Sequence, residues 1–293
     1  MGNFIFLKIS CFNSTGQRSK HQEESLLPGR KNKQTDTDGK KISSTDNGLD
    51  GKKARVVFQL NRVTKNWSGE HGFELTVPEL IIRQGEKVAL VGFSGCGKST
   101  LLDLLAMILQ PDSAAEFAFF TARDNRLDVA DTWKRKNLDG LARARMRYIG
   151  YVLQTGGLLP FLSVYDNIAL SRYGLGLEEQ DAVQAVAAKL GIDRHLEKFP
   201  AQLSVGERQR VSIARAMAHE PSVVIADEPT ASLDPINAEE IMGLFTRLTE
   251  EKGVTLVVAT HEWDRVEELG FRSVKFNLEK DKTKGSVRAR VSG

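Results

Sequence analysis

The chain has 293 residues, of which 41% are hydrophobic and 27% are charged, a balance typical of a soluble globular protein. Its formal net charge of +3 at pH 7 is too small to indicate a general nucleic-acid-binding surface. No apolar run approaches the roughly 18 residues of a transmembrane helix, and two widely spaced cysteines, Cys11 and Cys96, exclude a disulfide framework and suit a reducing cytoplasm.

Residues 1–53 are rich in Ser, Thr, Asn, Gln, Asp and Lys, and they carry the basic excess of the chain. Such a segment cannot bury enough apolar surface to fold, so we predict a disordered basic tail, with contact to acidic lipid headgroups as the alternative. The patterned sequence that follows predicts one α/β domain over residues 54–280. Residues 281–293 are predicted to form a flexible C-terminal tail. The balanced charge of the domain predicts no nucleic-acid partner.

The predicted domain alternates between strands and helices. In chain order, short apolar or alternating segments predict strands at residues 55–60, 73–77, 86–91, 222–227 and 254–260. Leucines at helical spacing predict a helix that begins after Lys98 and stops at Pro111, and a second helix is predicted at residues 178–190. The last two strands are continuously apolar, which favours a parallel sheet covered by helices on both faces.

Residues 92–99 read GFSGCGKS, which fits the pattern G-x-x-x-x-G-K-[S/T] between a buried strand and a helix. Glycine-rich backbone lets consecutive N–H groups surround a phosphate, while a lysine supplies charge and a serine hydroxyl supplies a ligand for Mg²⁺. The alternative is an ordinary glycine turn before a helix. The predicted nucleotide-binding residues here are Gly92, Ser94, Gly95, Cys96, Gly97, Lys98, Ser99 and Thr100.

Two side chains of this loop carry further expectations. Lys98 is expected to be a surface charge in the empty site. Cys96 lies near a helix N-terminus and Lys98, which should favour its thiolate. Alkylation of Cys96 is therefore expected to inactivate the protein, and ATP is expected to protect it.

A second acidic site lies downstream, where residues 223–228 read VVIADE and form an apolar strand that ends in two carboxylates. The first, Asp227, suits coordination of Mg²⁺, and the second, Glu228, suits polarisation of an attacking water. In isolation, a strand that ends in solvated acids is a reasonable alternative interpretation. Downstream of a phosphate-binding loop, the catalytic interpretation is favoured.

Residues 203–210 read LSVGERQR and precede a helical run. This segment resembles the signature motif of ATP-binding cassette (ABC) proteins, usually written LSGGQ. Leu203, Ser204 and Gly206 match that motif, whereas Val205 and Glu207 depart from it. The resemblance implies that Ser204 and Gly206 contact nucleotide.

Other landmarks of the ABC family follow in the expected order. Gln154 resembles the Q-loop glutamine that senses Mg²⁺ and the γ-phosphate, Asp234 resembles the end of a D-loop that contributes to the nucleotide site, and His261 resembles the switch histidine. Trp67 resembles the aromatic residue on which adenine stacks, although Phe73 competes for that role and a core position for Trp67 is the alternative.

The resemblance implies a P-loop NTPase fold of the ABC cassette type, with a mainly parallel core sheet, an antiparallel β subdomain and a helical signature subdomain. It implies ATP hydrolysis assisted by Mg²⁺. The implied catalytic residues are Lys98, Gln154, Glu228 and His261. The implied metal ligands are Ser99, Gln154 and Asp227.

The resemblance also implies partners. Signature motifs of this family close over the nucleotide of a second cassette, so a homodimer is expected, and separate transmembrane subunits are expected to dock near residues 158–162. The chain would then lie in the cytoplasm, peripheral to the inner face of the cell membrane. The pattern is most similar to the lipoprotein-releasing and macrolide-export group. Two alternatives are a mechanical ABC ATPase that moves no substrate and a soluble non-transport ABC ATPase.

The segment between Pro111 and Arg147 is longer than is usual in the family and contains the basic stretch WKRK at residues 133–136. It is interpreted as a longer solvated loop, with a contact surface particular to this chain as the alternative.

Overall fold

The computed structural model describes residues 54–68, 72–121, 125–177, 180–261, 263–280 and 286–293. The predicted basic tail, residues 1–53, lies outside these ranges. Residues 52–293 belong to one compact unit. Within the described ranges, no helix is both long enough and apolar enough to cross a bilayer.

Ten strands form a single sheet within the described residues: β1 (Val56–Trp67), β2 (Phe73–Arg83), β3 (Lys87–Val91), β4 (Glu116–Phe120), β5 (Arg126–Asp128), β6 (Ile149–Val152), β7 (Val223–Asp227), β8 (Thr255–Thr260), β9 (Arg272–Lys280) and β10 (Val287–Ser292). The helices are α1 (Lys98–Leu105), α2 (Val129–Lys134), α3 (Leu138–Tyr148), α4 (Val164–Leu175), α5 (Gln180–Lys189), α6 (Val205–Met217), α7 (Pro235–Glu251) and α8 (Trp263–Glu268). Two 3₁₀ helices, Asp193–His195 and Pro200–Gln202, lie between α5 and α6.

The sheet has the order β5-β4-β1-β2-β10-β9-β3-β8-β7-β6. The last five strands, from β9 to β6, pair in parallel, whereas β1, β2, β4 and β5 pair antiparallel. Strands β3, β7 and β8 are buried along almost their whole length, as their continuous apolar sequences predict. The predicted α/β cassette, with its parallel core and its antiparallel β subdomain, is confirmed.

Two hydrophobic clusters cover the sheet. One packs α1, α2 and α3 against the antiparallel strands and one side of the parallel strands. The other packs α4, α5, α6 and α7 against the opposite side. Because both faces of the parallel strands are covered, their carboxyl ends are where loops can carry polar side chains to a common site.

Two predictions about disorder and loops are wrong. The predicted flexible tail at residues 281–293 includes strand β10, which pairs with β9 and β2 and buries Ala289 and Val291. The alternation of apolar residues with Arg288 and Arg290 is the period of a strand covered on one face. The long segment after Pro111 is likewise built from β4, β5, α2 and α3 rather than a solvated loop, and Trp133 packs against the core.

Candidate functional site

A glycine-rich loop joins strand β3 to helix α1. The chain leaves β3 at Val91 and enters α1 at Lys98, with Gly97 as the N-cap residue at a φ of 101°. Gly95 has a φ of 78°, in the same left-handed region that other residues rarely adopt. A Cβ atom on Gly97 would also lie 2.9 Å from Cζ of Phe73. The predicted phosphate-binding loop therefore requires glycine at these two positions for conformation, and at Gly97 for space as well.

Lys98 folds back over this loop. Its Nζ donates hydrogen bonds to the carbonyl oxygens of Gly92 at 2.8 Å and Phe93 at 3.2 Å. Nζ also lies 3.6 Å from Oε1 of Glu228. Lys98 is only 5% exposed, so the expectation of a surface charge in the empty site is wrong. A buried ammonium that is already oriented by carbonyls suits a strongly anionic ligand such as a phosphate.

Two carboxylates stand at the end of β7, opposite the loop. Asp227 ends the strand and accepts a hydrogen bond from the Ser99 side chain; burial raises the pKa of the Asp227 carboxyl, and this hydrogen bond opposes the rise. Glu228 follows at a φ of 42°, with its N–H bonded to the carbonyl of Ala259 at 3.0 Å. His261 comes directly after β8, and its Nδ1 lies 3.8 Å from Oε2 of Glu228. Neighbouring parallel strands thus bring these acidic and basic groups together.

Most of these residues line one cavity of about 320 Å³, whereas His261 is not among its lining residues. Its lining residues are Trp67, Phe73, Ser94, Gly95, Gly97, Lys98, Ser99, Thr100, Gln154, Asp227 and Glu228. Residues predicted from four separate sequence motifs therefore meet at the carboxyl ends of the parallel strands. An anion-binding end, formed around Lys98 and Ser99, and an aromatic end, formed by Trp67 and Phe73, suit a nucleotide.

Trp67 ends strand β1 and pairs in register with Phe73 across β2. Its side chain is 49% exposed, so the alternative of a core position is wrong. Lys65 Nζ lies 5.4 Å from the centre of the Trp67 ring. Both aromatic residues reach the cavity, but Phe73 also packs against the core. The more exposed Trp67 ring is the better surface for stacking a base.

Gly92 and Cys96 are the predicted loop residues that do not line the cavity. Cys96 is 1% exposed, and burial raises the pKa of its thiol although the charge of Lys98 lowers it. A Cβ on Gly92 would lie 2.7 Å from the Cys96 Sγ. Cys96 therefore packs inward against Gly92. The expectation that Cys96 is a reactive thiolate is wrong.

Ser204, Gly206 and Asp234 do not line this cavity either. Ser204 is the exposed N-cap residue of α6, and Gly206 lies in its first turn. Asp234 caps α7, where its carboxylate accepts from the backbone N–H of Asn237 at 3.1 Å. Each of the three therefore stands at a helix N-terminus, which is a favourable place for a phosphate, but away from the cavity of its own chain.

The loop after Gln154 is held by a buried amide. The Asn167 side chain accepts from Leu159 N at 2.8 Å and donates to the carbonyls of Leu159, Leu162 and Ser163. Because of this arrangement Leu159 and Leu162 are half-buried, while Phe161 is 70% exposed. Within residues 158–162, where membrane subunits are expected to dock, Phe161 is therefore the exposed large apolar side chain.

Apolar surface continues beyond that loop. A groove of about 320 Å³ between α3 and α4 is lined by Met146 and Leu170, both exposed, and by Ile149 and Tyr151. Leu153, just before Gln154, is also largely exposed. Neighbouring exposed apolar side chains of this kind indicate an interaction surface.

Several contacts around α6 were missed by sequence reasoning. Ser204 and Glu207 form a capping box, in which Ser204 N donates to Glu207 Oε2 at 2.7 Å and Glu207 N donates to Ser204 Oγ at 3.2 Å. The spacing S-x-x-E was the available signal. Arg215 donates to the carbonyls of Gly156 at 2.8 Å and Gly157 at 2.7 Å, which ties α6 to the loop after Gln154. No pattern in the sequence predicted this contact between α6 and the loop.

Comparisons with known proteins agree with this geometry. A family profile described as ABC transporter matches residues 75–231. The lipoprotein-releasing system ATP-binding protein LolD of Idiomarina loihiensis is 40% identical over 73% of this chain and 92% of LolD. The macrolide export ATP-binding/permease protein MacB of Syntrophobacter fumaroxidans is 39% identical over 64% of this chain, a match that spans 26% of MacB.

A solved structure is similar over most of the chain. The ATP-binding cassette MJ0796, in a dimeric post-hydrolysis state bound to ADP and Pi, superposes with a TM-score of 0.65 at 30% identity. The match covers 78% of this chain and 96% of MJ0796.

Proposed function

Since this chain belongs to the ABC transporter family of ATP-binding proteins, we propose that two copies hydrolyse ATP in shared sites and thereby drive separate membrane subunits. Cassettes of this family are ATPases that bind ATP, and this chain is an ATP-binding subunit of that kind. Beyond this membership, we propose the role of each site residue, the use of Mg²⁺, sites shared between two copies, and coupling of hydrolysis to transport. The non-transport alternatives are not favoured, because the similar proteins LolD and MacB are named for transport systems.

The observation that carries the proposal is the cavity in which Lys98, Ser99, Asp227 and Glu228 meet. Lys98 and the backbone of the glycine-rich loop bind the β- and γ-phosphates. Trp67 stacks on the adenine at the other end. A cationic loop facing two carboxylates is an arrangement for cleaving a phosphoanhydride rather than for merely holding an anion.

Mg²⁺ is the proposed cofactor, with Ser99, Gln154 and Asp227 as the residues that would hold it. The Ser99 side chain already bonds to Asp227, and Gln154 lines the same cavity, so oxygen donors are gathered as a hard cation requires. When bound, the cation neutralises charge on the phosphate oxygens.

Glu228 is the proposed group that polarises the attacking water. It stands beside Asp227, with Lys98 Nζ 3.6 Å from one carboxylate oxygen and His261 Nδ1 3.8 Å from the other. His261 is proposed to orient the carboxylate and to contact the γ-phosphate. The positive φ of Glu228 aims its side chain into the cavity at a cost in backbone strain.

Ser204, Gly206 and Asp234 are proposed to act on the nucleotide of a second copy. They present helix N-termini that their own cavity does not use, and MJ0796 is described as dimeric with ADP and Pi bound. Closure of two copies would complete each site with the N-terminal end of the partner's α6.

A membrane subunit is proposed to dock on the apolar surface formed by Met146, Leu153, Phe161 and Leu170. An apolar segment seated there would touch α3, α4 and the loop after Gln154 at once. Arg215 links that loop to α6, so movement at the docking surface would reach the signature motif. The proposed location is accordingly the cytoplasmic face of the cell membrane.

Complementation between two inactive variants tests the shared site. Lys98→Ala removes the phosphate-binding charge and Ser204→Arg blocks the signature, so each chain alone should be inactive. In a mixed dimer, one site takes its loop from the Ser204→Arg chain and its signature from the Lys98→Ala chain, and both are intact. Equal mixing should therefore restore at most about a quarter of wild-type hydrolysis.

The control for this test is thermal unfolding of each variant, because Lys98 is buried and its loss could disturb the loop. Chains that are folded, are shown by crosslinking to pair, and recover no activity would contradict action of Ser204 on the partner's nucleotide.

A further inference from the structure

We propose that His195 is a positioning residue, which holds Glu207 so that the signature end of α6 is fixed for the partner's nucleotide. The inference rests on the proposed function, since it concerns the site that the partner copy completes. His195 lies outside the motifs that identify the family, in the 3₁₀ helix before the signature segment.

The first observation is that Glu207 has both carboxylate oxygens engaged. Oε2 accepts from the backbone N–H of Ser204 at 2.7 Å, and Oε1 lies 2.8 Å from Nε2 of His195. The hydrogen bonds from Ser204 hold the pKa of Glu207 below its usual range, with His195 and Lys198 contributing. The carboxylate is therefore ionised and can only accept, so the proton between Glu207 and His195 belongs to Nε2.

The second observation is the burial of His195, which is 6% exposed. Its Nδ1 is buried without a hydrogen-bond partner among the described residues. The Nε–H of Arg194 is directed at Nε2 from 3.1 Å and competes for this nitrogen with Oε1 of Glu207, which is nearer at 2.8 Å. Nε2 can accept from Arg194 only without a proton, so the proton that Nε2 donates to the ionised Glu207 excludes the bond from Arg194. Burying an imidazole with one nitrogen unbonded and a guanidinium close by costs free energy. Filling space would be cheaper with an apolar side chain, so the favourable interaction at this position is the bond to Glu207.

The third observation is that the segment after His195 is held by backbone hydrogen bonds. Backbone hydrogen bonds join Tyr165 N to Leu196 O at 2.9 Å and Val164 N to Lys198 O at 2.8 Å, which attaches the segment after His195 to the start of α4. The segment 195–198 thus bonds to the first turn of α4 through Leu196 and Lys198, and to the first turn of α6 through His195.

The consequence for the signature is geometric. A Glu207 carboxylate held at one oxygen could rotate about its side-chain bonds and release the N–H of Ser204. Held at both oxygens, it fixes Ser204 and the exposed N–H groups of the first turn of α6. Those groups are the ones proposed to face the phosphate on the partner copy.

The test compares His195→Asn with His195→Gln, two polar variants of different reach. The Gln amide nitrogen can occupy the position of Nε2, whereas the Asn amide is too short to reach Glu207. Each change is placed in a Lys98→Ala chain, which then supplies only a signature, and this chain is added in large excess to wild-type chain. Hydrolysis per wild-type chain then reports a site closed by the altered signature.

Relative to excess Lys98→Ala alone, we expect the Asn form to lower hydrolysis about fivefold to tenfold and the Gln form to lower it less than about twofold. In the reverse arrangement, a His195→Asn chain with an intact loop is paired with excess Lys98→Ala chain. That site has a wild-type signature, so its hydrolysis should match the reference. Equal losses in both arrangements would show that His195 merely supports its own fold and would overturn the inference.

A reference arm separates this inference from the proposed function. Excess Lys98→Ala/Ser204→Arg chain should abolish hydrolysis by wild-type chain if signatures act on the partner. If it does so while the Asn form has no effect, the shared site stands and the role of His195 is wrong. If it does not, the shared site itself is wrong, and the role of His195 fails with it.

A double-mutant cycle tests whether His195 acts through Glu207. In an excess chain that also carries Glu207→Ala, His195→Asn should cause no further loss. A further loss of fivefold or more would mean that His195 acts by another route, which also overturns the inference.

Discussion

Glu228 shows how a single residue is adapted to the site at the expense of local stability. Its φ of 42° is uncommon for a residue other than glycine, and its carboxylate is approached by Lys98 at 3.6 Å and by His261 at 3.8 Å. Strained backbone of this kind persists where surrounding structure determines it, here the bond from Glu228 N to Ala259 O in the neighbouring strand.

Cys96 supplies a prediction at this scale. Its thiol is buried and its pKa is raised, so little thiolate is present or accessible near pH 8. We expect iodoacetamide to modify Cys96 at least about tenfold more slowly in the native Cys11→Ser chain than in the same chain unfolded in urea. Peptide mass spectrometry follows both rates, and a Cys11→Ser/Cys96→Ser chain is the unlabelled control. Equal rates in the two states would contradict the inward packing of Cys96.

The residues of the loop could be predicted from sequence because they are contiguous and their spacing reflects one local conformation. The burial of the Cys96 and Lys98 side chains could not be predicted from sequence, because it depends on the residues that surround them. Sγ of Cys96 packs on Gly92, and the Lys98 ammonium is drawn inward by the carbonyls of Gly92 and Phe93. The link between His195 and Glu207 joins two elements and is likewise invisible in a linear pattern.

At the scale of elements, the close approach of β6 to α6 gives a second prediction. A Cβ on Gly150 would lie 2.1 Å from the carbonyl oxygen of Ala216, a backbone atom that cannot move aside. Gly150→Ala should therefore lower the free energy of unfolding by about 2–3 kcal/mol, as overpacking of a core does. Urea denaturation followed by circular dichroism measures this change.

Gly206→Ala is the matched control, since a Cβ there meets nothing nearer than Ile241 Cδ1 at 3.9 Å. This glycine is helical, so alanine should keep or raise stability, by up to about 1 kcal/mol. Hydrolysis should nevertheless fall, because the added methyl group would stand where we propose that the phosphate of the partner's nucleotide approaches. Equal stability losses for Gly150→Ala and Gly206→Ala would contradict the stated packing of β6 on α6.

Strands β3, β7 and β8 of the parallel core were predictable, because a continuous apolar run such as that of β7 or β8 has few other interpretations. Strand β10 was missed, since its alternating arginines imitate a solvated tail until β2 and β9 are known to flank it. The elements between Pro111 and Arg147 were missed for a related reason. They are short, and Trp133 in their basic stretch becomes a core residue only when α2 packs on β4.

At the scale of the whole molecule, the proposed function depends on two copies meeting across the nucleotide. Each chain has a cavity lined by the loop and the two carboxylates, with His261 beside Glu228, while its Ser204, Gly206 and Asp234 do not line it. One chain therefore supplies the loop and the carboxylates of the site. The helix N-termini that carry Ser204 and Asp234 do not cover the cavity of their own chain. A second copy of the chain would supply that cover. Hydrolysis of the ATP would remove the contact that holds the two copies together.

The Glu228→Gln variant tests this claim most directly. Without the carboxylate, bound ATP should persist, because the proposed ligands Lys98, Ser99 and Asp227 remain while the proposed polarisation of water by Glu228 is lost. Size-exclusion chromatography with light scattering should give a dimer with Mg-ATP and a monomer without nucleotide. A Lys98→Ala/Glu228→Gln chain should stay monomeric in both conditions. A Glu228→Gln chain that binds ATP and remains a monomer, or that hydrolyses ATP at the wild-type rate, would contradict the account.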